Sequence, residues 1–132
     1  MTQSSIDLAP WKRTAADMYA TAMLVQLGRD ENQAKDGWEN GTQDQQLLEV
    51  WYHVAKLQKS VQALDNAVAG GASEATRNEI RKAILEFAAD VGNCAMIVAE
   101  STNALEMLSD PDVGERGEET VDWQVMSSGG SP

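Results

Sequence analysis

The chain contains a single cysteine, Cys94, in 132 residues. No disulfide within the chain can form, so a small fold stapled by bridges is excluded, and a reducing, cytoplasmic setting is expected. Aromatic residues make up only 5% of the sequence and prolines number three. Ala, Leu, Gln and Glu are common instead, a balance that favours helix over sheet. Cations are also scarce: ten Lys and Arg face 21 Asp and Glu, for a formal net charge of −11. Such a surface repels phosphate backbones and disfavours a nucleic-acid polymer as partner. A free nucleotide would need a metal ion or a local basic cluster to be held. No apolar run is long enough to cross a bilayer, so no membrane association is expected. The start, MTQSSIDLAPWKR, lacks the apolar stretch of a signal peptide. Internal repeats, a Gly-rich phosphate loop, a CxxC pair and a GxSxG elbow are missing as well.

What is present is helical periodicity. Hydrophobic residues reach 42%, enough for one globular domain with a modest core. Pro10 fits an early helix position, and apolar residues follow at Trp11, Ala15, Met18, Ala22 and Val25, which predicts an amphipathic helix over about 11–28 with Gly28 as its stop. The stretch RDENQAKDGWENG reads as a loop, with Trp38 expected to plug against the core. Thr42 and Gln45 form a capping-box pattern opening a second helix over about 42–69. Its apolar positions, Leu47, Val50, Val54, Leu57, Val61, Leu64 and Val68, step by three and four throughout. Gly70 and Gly71 end it, and Ser73 caps a third helix over about 73–100 with the seam Ile80, Ile84, Phe87, Val91, Cys94 and Val98. The short connection makes the second and third helices antiparallel neighbours. A shorter fourth helix is expected over about 101–109, broken at Asp110-Pro111. The prediction is therefore an all-α antiparallel bundle over 1–109, with two long central helices, followed by a flexible acidic tail over 110–132.

Polar residues flank the seam. Glu49, His53, Lys56 and Ser60 form one stripe on the second helix, and Glu86, Asp90 and Asn93 form another on the third. Asp90 sits in the apolar run AADVGNCAMIVA, so its carboxylate requires a cation, a hydrogen-bond donor or a metal ion. A bland reading makes these residues solvated charges plus one structural ion pair. A functional reading makes them a carboxylate cluster for Mg²⁺. Cys94 lies on the seam and is a poor nucleophile there.

The segment ILEFAADVGNCAMIVAE resembles the second motif of phage MazG-like proteins, the all-α nucleoside triphosphate pyrophosphohydrolases. Asn32, Lys35, Gly37 and Trp38 resemble the N-x-x-K-x-x-W segment before the first catalytic helix, and LLEVWYHVAKLQKSVQAL resembles that helix. The similarity spans roughly residues 15–108 and is most specific over Asp90–Met96. It implies an oligomeric bundle in a bacterial host's cytoplasm. It also implies a Mg²⁺-dependent cut between the α and β phosphates of an NTP or dNTP, with acidic residues on two helices holding the metal. The sequence departs from that pattern. The positions of the family's EExxE are Tyr52, His53 and Lys56, none of them acidic, and Phe87 stands where a Glu is expected three before Asp90. Glu86 and Asp90 remain, with Glu49 as a displaced third carboxylate.

The resemblance thus implies Glu86, Asp90 and His53 as catalytic candidates, Glu49, Glu86 and Asp90 as metal ligands, and Lys35, Trp38, Lys56 and Asn93 as nucleotide contacts, with Arg29 a further cation for phosphates. The charge inversion suggests that the Lys56 ammonium takes the place of the metal and pairs with Asp90 or Glu86. Three functions follow: a nucleotide binder with weakened or lost hydrolysis, an active pyrophosphohydrolase with a rebuilt metal site, or a non-catalytic phage interaction or structural protein. Apolar residues beyond the seam, Leu48, Trp51, Ala83, Ala88 and Ile97, predict a dimer or higher oligomer, and the acidic tail suits a protein partner.

Overall fold

The computed structural model describes residues 8–29 and 41–110. Lys35, Trp38 and the tail beyond Asp110 lie outside the described residues, and so do the expectations placed on them. Within those limits the protein is all-helical, with α1 over Pro10–Leu27, α2 over Gln43–Ala69, α3 over Glu74–Ser101 and a closing 3₁₀ helix over Ala104–Ser109.

The helix ends obey local chemistry. Thr42 Oγ1 accepts from the Gln45 backbone N–H at 3.1 Å, and Gln45 Oε1 accepts from the Thr42 N–H at 2.9 Å, so the capping box is complete. At the far end of α2, Gly71 takes φ +73°. Its N–H reaches Val68 O at 3.2 Å, and the Ala72 N–H reaches Ala67 O at 2.9 Å. This Schellman turn needs a left-handed residue, which glycine supplies without strain. Ser73 Oγ then accepts from the Thr76 N–H at 3.1 Å and opens α3. Gly28 ends α1 as expected, but in a right-handed conformation with φ −82°, so its freedom is unused. One expectation is corrected here. The last helix is 3₁₀ rather than α, because Asn103 adopts φ 63° and turns the chain before it.

α2 and α3 pack as the antiparallel pair that the seam predicts. His53 lies opposite Asp90, Lys56 opposite Phe87, and Ser101 Oγ donates to Gln46 Oε1 at 2.7 Å near the open end. α1 lies on the other side of α3, against residues 82–93, and has little direct contact with α2. α3 is therefore the central helix of an open layer. Its seam is only half closed: Cys94 and Ala89 are the buried hydrophobic residues among those described, and no large side chain is fully enclosed. Leu47, Val61 and Val68, all seam positions of α2, stay about half exposed.

Candidate functional site

The three helices converge at Asp90. Its side chain is 17% exposed and lies on the face of α3 between α1 and α2. A carboxylate so placed must recover the hydration it loses. Gln26, itself buried at the end of α1, donates from Nε2 to Asp90 Oδ1 at 3.1 Å. From α2, His53 Nδ1 stands 3.8 Å from Asp90 Oδ2. That separation exceeds a hydrogen bond, so this contact acts as a charge interaction when the imidazole is protonated. Of the partners the sequence demanded for Asp90, the structure supplies a donor and a histidine.

One turn further along α3, Asn93 is buried and donates from Nδ2 to Met23 O at 3.0 Å. It ties α3 to the backbone of α1 rather than lying in a solvated stripe. Its Oδ1 has no hydrogen-bond partner among the described residues, which leaves a buried acceptor beside the junction. Tyr19 donates its hydroxyl to Ala88 O. Gly92 lies beneath these contacts: a Cβ there would stand 2.5 Å from the Tyr19 hydroxyl and 2.9 Å from Met23 Sδ. The missing side chain at position 92 is what lets α1 approach this closely.

The remaining candidates are dispersed. Glu86 is paired with Arg29, 3.6 Å away and partly exposed. Glu49 is exposed on α2. The expectation that Lys56 pairs with Asp90 or Glu86 is corrected. Its ammonium lies 4.6 Å from the centre of the Tyr52 ring and 5.6 Å from that of Phe87. The rings offer an electronegative face on the same helix turn and on the facing helix, while Gln26, His53 and Arg29 occupy the carboxylates. Among the described residues, no three His, Cys, Asp or Glu side chains come together where they could hold a metal ion. Glu49, Glu86 and Asp90 thus form no triad, and these residues do not fit the Mg²⁺ site implied by the resemblance. Among the described residues, the junction holds and orients Asp90 without gathering a metal-binding group of three around it.

Between α1 and α3, next to this junction, lies a cleft of about 280 Å³ lined by Ala22, Val25, Gln26, Arg29, Lys82, Leu85, Glu86 and Ala89. Gln26 belongs to both features. Gln26, Tyr19 and Gly92 were not singled out by the sequence. A faint signal existed for Gln26, which follows Val25 and stands four after Ala22 on the apolar side of α1, where a polar residue calls for a partner. Gly92 in mid-helix carries a similar hint, since glycine there lowers helix stability without a packing reason.

Compared with protein-family models, with curated proteins and with solved structures, the chain has no match.

Proposed function

We propose that this chain is a divergent MazG-like bundle that has lost Mg²⁺-dependent hydrolysis and keeps its helices as a scaffold for binding a nucleotide. The observation that carries this reading is the setting of Asp90. The carboxylate matching the family motif is engaged by Gln26 and His53 instead of standing in an acidic cluster. A metal-activated water needs several anionic ligands to hold the ion, and here the α2 positions are Tyr52, His53 and Lys56. The protein alone, incubated with a panel of NTPs and dNTPs plus Mg²⁺ or Mn²⁺, is expected to release neither monophosphate nor pyrophosphate. One nucleotide of the panel is expected to raise its melting temperature. Turnover that Asp90→Asn abolishes would instead establish the active pyrophosphohydrolase with a rebuilt site. Neither turnover nor a thermal shift would leave a phage interaction or structural role.

The same reading includes self-association into a dimer or tetramer. Trp51, Leu48, Trp11, Met18 and Leu24 are each more than 60% exposed, and no large side chain is fully enclosed among the described residues. A helical layer with so little interior gains too little from burial to offset its ordering entropy alone. Leu47, Leu48, Trp51 and Tyr52 on α2 and Leu105, Met107 and Leu108 of the 3₁₀ helix are exposed as well. Exposed apolar surface on this scale fits a contact surface. Light scattering at micromolar concentration should give a multiple of 14.3 kDa; a monomeric mass would refute assembly.

A further inference from the structure

We propose that the cleft between α1 and α3 is a binding site for a small amphipathic anion, a single phosphate or carboxylate group on one apolar ring. Its walls and its rim differ in kind. Val25 and Leu85 line it and are 58% and 53% exposed, so apolar surface stands uncovered inside a concavity. Arg29 and Lys82 stand at the same cleft, two of only ten cationic residues in a chain of net charge −11. Their side chains are 44% and 73% exposed, so an incoming anion meets them without having to desolvate a buried charge. Each already faces a carboxylate: Glu86 lies 3.6 Å from Arg29, and Glu79 2.7 Å from Lys82. Exposed pairs of this sort contribute little and exchange readily with another anion. The volume, about 280 Å³, is at the small end for ligand clefts and admits a one-ring compound rather than a nucleoside triphosphate. Gln26 lines the cleft and holds Asp90, so an occupant would press on the amide that positions the junction.

This site does not depend on the nucleotide reading. Its probes carry neither nucleoside nor metal, so an unresponsive nucleotide panel leaves it standing, and a silent cleft leaves the nucleotide reading standing. The full chain, labelled with ¹⁵N, is titrated with phenyl phosphate, benzoate, inorganic phosphate and benzylamine. Phenyl phosphate and benzoate should shift the amides of residues 22–29 and 82–89 saturably, with inorganic phosphate weaker and benzylamine inert. The double variant Arg29→Gln, Lys82→Gln should weaken phenyl phosphate by about tenfold, a loss of about 1.4 kcal/mol. Leu85→Ser should weaken it severalfold. Glu86→Gln removes one competing carboxylate, the one beside Arg29, and should tighten it, an effect that a merely structural role for Glu86 would not produce. The substituted side chains are all partly exposed, and melting curves confirm that each variant is folded. Equal binding of benzylamine, equal affinity for inorganic phosphate, or unchanged affinity in the double variant would overturn the proposal. So would shifts of these same amides on simple dilution, which would assign the cleft to a second copy of the chain.

Discussion

The contacts that α3 makes with α2 and with α1 are built on different physics. On one side α2 meets it along a repeating apolar seam, whose positions include Val50, Val54, Leu57 and Leu64 on α2 and Ile84, Phe87, Val91 and Cys94 on α3. On the other side α1 meets it through a close approach over Gly92 and a set of single hydrogen bonds: Gln26 to Asp90, Asn93 to Met23 O, and Tyr19 to Ala88 O. The first contact is a sum of many small burials and tolerates variation at any one point. The second depends on individual atoms and is undone by individual changes. α1 is weak in other respects too. Ala9 gives it no side-chain cap, its first turn has no acidic residue and its last turn no basic one. α1 is thus the element expected to detach first, while α2 and α3 remain paired.

The comparison can be broken most forcefully on the seam. Shortening Leu57 and Ile84 together to Ala should cost about 3–5 kcal/mol, at the low end for two such changes because both sites are half-buried. Chemical denaturation followed by circular dichroism would show the whole helical signal melting early. Gly92→Leu comes next. It forces branched carbon into space held by Tyr19 and Met23, and should cost about 1–3 kcal/mol. The distinguishing sign is location: hydrogen exchange should speed up along α1 and stay slow in α2. Thr42→Ala removes one half of the capping box and should lower stability by about 1 kcal/mol, with fraying confined to the start of α2. The smallest effect is the most discriminating. In Gly92→Ala the new methyl meets only the tips of two flexible side chains and sacrifices the Tyr19 hydrogen bond. The loss of about 1 kcal/mol is offset by a similar gain in helix propensity. Global stability should scarcely change while α1 exchanges faster. If α1 protection is unaltered, close packing over Gly92 is not what holds it.

Legibility in the sequence divides along the same line. The boundaries of α2 and α3, the capping box at Thr42, the glycine turn and the antiparallel pairing could all be read, because each depends on residues within a few positions or on a sustained repeat. The need of Asp90 for a partner was legible, but not which partner. Gln26 stands 64 positions away and His53 comes from a third helix. Lys56 shows the limit most clearly. Its position suggested an ion pair across the seam, but two aromatic rings surround its ammonium instead. Such a choice between a carboxylate and a ring face is settled by separations of an ångström or two, which spacing along a chain does not encode.

Taken by itself, then, the sequence determined the helices, their ends and the pairing of α2 with α3, since backbone capping and a regular apolar stripe act locally or by repetition. Only the tertiary structure decided how α1 is seated, which groups hold Asp90, and that Glu49, Glu86 and Asp90 stay apart. Those outcomes depend on how closely helices distant in the chain approach one another, and at Gly92 that distance is set by the absence of a single carbon atom.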